Sequence, residues 1–185
     1  MRFFTIGHGT RPAEELVECL LEVDAKTLVD VRRFPSSRRN PQFNGAALEE
    51  TLAAAGVRYR HAVELGGRRS GEPGEERFAC IGVGAFRSYA AWMCTAEWEA
   101  ALDDALALPA PCFMCAETPW WRCHRRLIAE LLTARGHEVL HVLGPGRVER
   151  HRPWDIAEYR EGRLYLCGSE VAWERPADQD RLIRQ

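Results

Sequence analysis

The chain has 185 residues, of which 46% are hydrophobic and 28% are charged, which is typical of a single globular domain. No apolar run approaches the roughly 18–20 residues that a membrane helix needs, and the first residues lack the pattern of a signal peptide. We therefore expect a cytoplasmic protein without a membrane partner. The net charge of −2 excludes a general electrostatic attraction to nucleic acid.

Positive charge is nevertheless concentrated in one part of the chain. Between residues 31 and 70 there are eight arginines and three glutamates, and 24 of the 25 basic residues of the whole chain are arginine. One interpretation is codon bias in a GC-rich genome. The other is that planar, bidentate donors are needed to bind phosphate or carboxylate.

The chain contains seven cysteines at irregular spacings. An odd number in a chain long enough to build its own core favours reduced thiols over a disulfide framework. We interpret Cys19, Cys80, Cys94 and Cys167 as small hydrophobic residues that are buried or half-buried.

Strands and helices alternate along the chain in the predicted structure. Short apolar runs predict strands, periodic apolar positions predict helices, and glycine-, proline- and arginine-rich stretches predict loops. The predicted strands are 2–7, 27–31, 57–63, 112–116, 137–143 and, in the tail, 163–168. The predicted helices are a segment opening at Pro12, then 45–55, 85–93, 95–108 and 120–135, and the long loops are 32–44 and 64–84.

This alternation predicts an α/β fold with a single domain. We expect a mostly parallel open sheet of about five strands with helices on both faces. The fold is Rossmann-like, but the GHGT stretch after the first strand lacks the dinucleotide fingerprint, and the glycines at 66 and 67 lack the spacing of a phosphate-binding Walker loop.

Ligands of such sheets bind outside the carboxyl ends of the strands, and polar residues follow four of the predicted strands. They predict an anion site with carboxylate and imidazole groups for proton transfer. The expected catalytic residues are His8, Cys115, Glu117, Cys123 and His124, and the expected substrate-binding residues are Asp30, Arg32, Ser37, Arg38, Gly66, Gly67 and Arg125.

Six short stretches together resemble the bacterial family called domain of unknown function 488. They are TIGHGT, VDVRRFPSS, LGG at 65–67, CAE at 115–117, CHR at 123–125 and the closing GHEVLHV. The resemblance implies an α/β fold with a polar site over 1–151, and 152–185 is then an extension that we expect to pack on the same domain. The chain departs from the family pattern at Gly9, where the family has serine, and Cys112 is an addition.

The cysteines leave two chemistries open. Cys112 and Cys115 lie in a predicted strand and face opposite sides of the sheet, which disfavours a redox or zinc C-x-x-C motif. Cys115 and Cys123 are better placed for a nucleophilic thiolate or, with His124 or His8, for a metal site. The cofactor stays open, and a divalent metal held by Cys115, Cys123 and His124 is the candidate. Six residues separate Cys115 from Arg122, which does not match the anion loops of cysteine phosphatases or sulfurtransferases.

Aromatic residues accompany the arginines of the loop 32–44. Arg33, Arg38 and Arg39 alternate with Phe34 and Phe43, a combination that suits a nucleotide or a single-stranded nucleic acid. The alternative is a solvated loop whose phenylalanines pack into the core. Of the neighbouring pair Trp120 and Trp121, we expect one to pack.

Three functions follow from these observations. The first is an enzyme acting on an anionic substrate, a nucleotide or nucleic acid component, with Glu117 and His8 or His124 moving protons. The second is a thiol- or metal-dependent enzyme that uses Cys115 and Cys123. The third is a non-catalytic module that binds phosphate or nucleic acid. The sequence does not determine the oligomeric state.

Overall fold

The fold is a mixed α/β domain built on one six-stranded sheet with the strand order β3-β2-β4-β1-β5-β6. The computed structural model describes residues 1–172. Strands β1 to β5 are parallel, and β6 runs antiparallel to β5. The strands of this sheet are β1 (Arg2–Gly7), β2 (Thr27–Asp30), β3 (Arg58–His61), β4 (Pro111–Cys115), β5 (Glu138–Gly144) and β6 (Arg147–Arg150).

Five α-helices cover the sheet within the described part of the chain, and the predicted α/β class is confirmed. They are α1 (Ala13–Glu22), α2 (Gly45–Ala54), α3 (Gly84–Trp92), α4 (Ala96–Leu106) and α5 (Arg125–Ala134). The longest has 11 residues, so none of these helices reaches the length needed to cross a bilayer.

The central strands form because both of their faces are covered. Every residue of β2 and of β4 is buried, which explains why their sequences are short runs of mostly apolar residues. The two faces carry separate cores. Cys112 packs with Ile6 and Leu28 on one face, whereas Cys115 packs with Phe113 and Leu127 on the other. The two cysteines therefore point away from each other, as expected.

Two differences from the predicted elements concern the second half of the sheet. The sixth strand, β6, was not predicted because its residues are polar and mostly exposed, as is common for edge strands. The predicted helix 120–135 is divided into a short 3-10 turn, Trp120–Arg122, and α5. Cys123 lies between them with an extended backbone, so its side chain is not part of the helix.

A small antiparallel sheet follows the main one. It consists of β7 (Ala157–Arg160), β8 (Arg163–Leu166) and β9 (Ser169–Glu170). Leu164 and Leu166 of this sheet join the same hydrophobic core as α5. The remainder of the predicted extension, 173–185, lies outside the described residues.

The expectation that all cysteines are reduced is wrong for one pair. Cys80 and Cys167 form a disulfide across 87 positions of sequence, with their Cα atoms 5.6 Å apart. The loop before α3 lies against the β8–β9 turn, where the Ser169 hydroxyl donates to the backbone oxygen of Arg77 at 3.3 Å. An odd cysteine count excludes complete pairing but not one bridge, and sequence spacing does not show which residues meet. The other five cysteines carry free thiols.

Candidate functional site

A cavity of about 860 Å³ opens at the carboxyl ends of β1, β2 and β4. The loop after β2 and the segment that leads into α5 form its walls, and parallel strands place these segments together because their carboxyl ends share one edge. The residues around it are His8, Gly9, Thr10, Arg32, Arg33, Phe34, Ser36, Ser37, Arg39, Asn40, Gly67, Arg68, Ala85, Phe86, Cys115, Ala116, Glu117, Thr118, Pro119, Arg122, Cys123 and His124.

Most of the residues that the sequence predicted for a site border this one cavity. They are His8, Arg32, Ser37, Gly67, Cys115, Glu117, Cys123 and His124. Asp30, Gly66 and Arg125 are not among the lining residues; they are buried behind the wall. Arg38 is exposed and does not border the cavity, whereas its neighbour Arg39 does. The catalytic and substrate-binding roles of all of these residues stay predictions.

The cavity wall carries strong positive charge. Five arginines and a single carboxylate, that of Glu117, are among its residues. Arg32 is neutralised by Asp30, and the other four arginines form no ion pair within residues 1–172. Within the described residues the wall therefore carries more positive than negative charge.

Arg32 is held in place at the cavity wall by Asp30, which is buried behind the wall. Its Nε donates to Asp30 Oδ1 at 2.8 Å and its Nη2 donates to Asp30 Oδ2 at 2.5 Å. The Tyr59 hydroxyl donates to the same carboxylate at 2.8 Å, and Nη2 also donates to the backbone oxygen of Phe43 at 2.8 Å. This network fixes the guanidinium at the cavity wall with little freedom to move.

His8 is fixed on the other side of Arg32. Its Nδ1 hydrogen-bonds the backbone oxygen of Gly9 at 2.8 Å, its Nε2 lies 3.3 Å from Arg32 Nη1, and its ring stacks on Phe43 with centroids 4.3 Å apart. Burial lowers the pKa of His8 to about 4, and the Arg32 charge contributes to the lowering. A neutral imidazole with both nitrogens engaged is suited to orient Arg32 more than to transfer a proton.

Two glycines allow the segments that form the cavity wall to pack closely together. A Cβ atom at Gly7 would lie 1.9 Å from the backbone oxygen of Glu117, and a Cβ atom at Gly67 would lie 2.5 Å from His124 Nδ1. Both contacts are far shorter than van der Waals distance. Only glycine at these positions lets β1 and the loop 64–84 approach the segment before α5.

Cys115, Cys123 and His124 form a compact cluster in the cavity wall. His124 Nδ1 lies 3.5 Å from Cys123 Sγ and 3.9 Å from Cys115 Sγ. Burial by itself raises the pKa of the Cys123 thiol, but a hydrogen bond with the Cys115 thiol and the proximity of His124 and Arg125 outweigh burial and hold the pKa well below its usual value. Interaction with Cys123 and burial raise the pKa of Cys115.

A buried polar chain lies beneath the cavity. Arg125 Nη1 donates to Thr5 Oγ1 at 3.1 Å, and the Thr5 hydroxyl lies 2.7 Å from His141 Nδ1. His141 Nε2 lies 3.0 Å from His151 Nδ1, and His151 Nε2 lies 3.2 Å from a carboxylate oxygen of Glu130. Arg125 also donates to the backbone oxygen of Glu117. The guanidinium thereby supports the cavity wall from below and does not enter the cavity.

The aromatic residues divide between core and surface. Trp120 is buried and stacks on His141 at a centroid distance of 4.2 Å, while Trp121 is exposed. One member of the pair therefore packs, as expected. Phe43 is buried against His8, and Phe34 is exposed and borders the cavity, so only one of the two loop phenylalanines is available to a ligand.

Sequence reasoning missed part of this site. Arg39 borders the cavity where Arg38 had been expected, and irregular loops have no periodicity that shows which of two adjacent side chains faces a ligand. Arg68 and Arg122 also border the cavity, but neither is among the predicted site residues. His151 and Glu130 carried no signal at all, because their partners are distant in sequence.

One comparison with known proteins gives a match. The family model described as "Domain of unknown function DUF488" matches residues 12–132. No curated protein and no solved structure matches the chain. The matched range contains β2 and β4, the arginine-rich loop between β2 and α2, and the Cys115, Cys123 and His124 cluster.

Proposed function

The chain belongs to the DUF488 family, and because that family's description names no reaction, we propose from the site itself that the protein is an enzyme acting on a phosphate-bearing anion. The observation that supports this proposal best is the cavity wall with five arginines and one carboxylate. A cavity of about 860 Å³ is of the size that small-molecule sites have. A nucleotide, or one nucleotide unit of a nucleic acid, is therefore the substrate class.

The arginines favour an oxyanion such as phosphate over a neutral ligand. A guanidinium group donates two parallel hydrogen bonds to a phosphate or carboxylate, and it does so with a permanent charge. Phe34 adds an exposed aromatic face at the same cavity, against which a base stacks. Together they match the two parts of a nucleotide.

Reactive groups in the same wall favour an enzyme over a binding module. The Glu117 carboxylate is exposed at the cavity, and the thiols of Cys115 and Cys123 lie beside the His124 imidazole. A module that only recognises phosphate needs arginines but has no use for two thiols and an imidazole in its wall. We assign proton transfer to Glu117, and a positioning role to His8.

Calorimetric titration with adenosine monophosphate and with adenosine tests the binding half of the proposal. We expect the monophosphate to bind, with an affinity that falls as salt is added, and adenosine to bind at least about tenfold more weakly. Arg39→Ala lowers the affinity about tenfold because one charged contact is lost. Arg38→Ala is the matched control, and equal losses in both variants would contradict the cavity as the binding site.

A turnover assay distinguishes an enzyme from a non-catalytic binding module. Nucleoside monophosphates and short single-stranded DNA are incubated with the protein, and the products are separated by chromatography. We expect conversion that is lost in Glu117→Gln while the calorimetric affinity is unchanged. Tight binding without conversion of any of these compounds would instead support the non-catalytic module.

A further inference from the structure

The thiols and imidazole of the cavity wall are arranged as a set of three donor atoms. The two Sγ atoms and His124 Nδ1 all lie within 4.8 Å of one another, and the three side chains are buried. They come from two places in the chain, Cys115 from the end of β4 and the other two from the segment that enters α5. The three donors are therefore brought together by the fold and not by sequence proximity alone.

The tautomer of His124 directs its free lone pair at the thiols. Nε2 lies 2.9 Å from the backbone oxygen of Val31, and because a carbonyl oxygen only accepts, Nε2 must carry the proton. In the neutral ring, the form that binds a metal, Nδ1 then has an unprotonated lone pair next to both sulfur atoms. A backbone carbonyl that fixes the second nitrogen of a histidine is the usual support of a metal-binding imidazole.

The surroundings hold the ring in this orientation. The rings of Tyr89 and His124 pack in a T-shaped arrangement at a centroid distance of 5.0 Å, and the Tyr89 hydroxyl donates to the backbone oxygen of Leu65 at 2.8 Å. Gly67 lies so close to Nδ1 that a Cβ atom would come to 2.5 Å. The space next to Nδ1 is thus kept free of side-chain atoms by a glycine.

The distances between the donor atoms fit a metal ion with tetrahedral coordination. Zinc–sulfur bonds of about 2.3 Å and zinc–nitrogen bonds of about 2.0 Å separate neighbouring donors by roughly 3.5–3.8 Å. The observed sulfur–nitrogen distances are 3.5 and 3.9 Å. Thiolates select zinc or copper(I) over magnesium or calcium, and a mixed thiolate and imidazole set suits zinc.

We propose that Cys115, Cys123 and His124 bind one zinc ion whose fourth position is open to the arginine-lined cavity. All three residues border that cavity, and three protein ligands with one open position are the pattern of a catalytic zinc site. The zinc-binding claim stands on the geometry alone. The role of the ion rests on the proposed function, in which the fourth position holds a water molecule or an oxygen of the phosphate-bearing substrate.

Metal analysis of the full-length protein, purified without chelators, tests the proposal. We expect one zinc per chain in the wild type and less than a tenth of that in Cys123→Ser, because loss of one of three ligands lowers metal affinity by orders of magnitude. Cys94→Ala is the matched control, since Cys94 is a free, half-buried thiol outside the cluster, and it keeps its zinc.

A second measurement uses the wild type alone, so that it does not depend on a variant that folds. The protein is stripped of metal and titrated with cobalt(II). We expect the visible bands of tetrahedral cobalt and a thiolate charge-transfer band, both saturating at one equivalent and both abolished by added zinc. A featureless spectrum together with a metal-free purified protein would overturn the zinc site.

The zinc proposal and the proposed function can be contradicted independently of each other. Zinc content and adenosine monophosphate affinity are both measured on the wild type and on Arg39→Ala. We expect Arg39→Ala to keep its zinc and to lose affinity. Absence of zinc with intact nucleotide binding overturns the metal proposal alone, and zinc without nucleotide binding overturns the proposed function alone.

Discussion

Asp30 shows how a single buried charge builds the site without entering it. Its side chain is completely buried and accepts hydrogen bonds from Arg32 and Tyr59. Asp30 and Arg32 lie on either side of Val31, and their side chains form a buried ion pair. The carboxylate neutralises Arg32, so the excess positive charge of the cavity comes from the other arginines of the wall.

Replacing Asp30 tests this arrangement. Asp30→Asn leaves the Arg32 guanidinium buried without its counter-charge, which costs about 3 kcal/mol in the free energy of unfolding. Tyr59→Phe removes a single hydrogen bond to the same carboxylate and costs only about 1 kcal/mol. Urea denaturation measures both values. A loss in Asp30→Asn no larger than that in Tyr59→Phe would show that Arg32 does not depend on the carboxylate.

The loop 64–84 is the element that connects the site with the rest of the fold. Near its beginning Gly67 packs against His124, and near its end the Cys80–Cys167 disulfide joins it to the β8–β9 turn. Ala85 and Phe86, at the start of α3, border the cavity just after the loop ends. The position of this one loop thus affects the imidazole and the cavity together.

Two glycines of this loop provide a matched pair of variants. Gly67→Ala places a methyl group against His124 Nδ1, so we expect the ring to move and the zinc content to fall at least about tenfold. Gly82→Ala has no atom within 4 Å of its new Cβ and keeps its zinc. Metal analysis and far-ultraviolet circular dichroism of both variants make the comparison. Full zinc content in a folded Gly67→Ala protein would contradict the proposed ligand set.

The disulfide gives a second prediction at the scale of elements. It joins residues that are 87 positions apart in the sequence, and bridges of this kind stabilise the fold by about 2–4 kcal/mol. We expect dithiothreitol to lower the melting temperature of the wild type and to leave that of the Cys80→Ala, Cys167→Ala double variant unchanged. An identical effect of the reductant on both proteins would show that the bridge contributes nothing to stability.

At the scale of the whole molecule, the sheet order decides which residues meet. β1, β2 and β4 are neighbours in the order β3-β2-β4-β1-β5-β6, so the residues that follow them lie side by side. Beneath them, the polar chain from Arg125 to Glu130 crosses the core between the sheet and α5. His141 in this chain is buried, and burial, with help from His151 and Arg125, lowers its pKa to about 2.

This histidine makes the stability of the molecule dependent on pH. The unfolded chain takes up a proton on His141 below about pH 6.5, whereas the folded protein takes it up only near pH 2, so acid favours unfolding. We expect a loss of about 2 kcal/mol between roughly pH 7 and pH 5 from this one group. His141→Gln retains a donor and an acceptor but does not titrate, so its unfolding free energy falls less over that range. Parallel pH profiles would contradict the assignment.

The sheet, and the proximity of the loops at the carboxyl ends of its strands, could be predicted from the sequence because both depend on simple sequence patterns. Buried strands such as β4 are short apolar runs, and parallel strands place their following residues at one edge. His8, Arg32 and Cys123 therefore could be expected at one cavity. β6, the Cys80–Cys167 bridge and the choice between Arg38 and Arg39 could not, because edge strands, cross-loop contacts and loop side-chain directions leave no periodic pattern.

A crystal structure of the protein with adenosine monophosphate bound tests the central claim most directly, namely that one arginine-lined cavity at the strand ends is the substrate site. The account predicts the phosphate within hydrogen-bond distance of Arg39, Arg68 or Arg122, with Cys123 and His124 in the wall beside it. A nucleotide bound on another surface, with this cavity filled only by solvent, would contradict it.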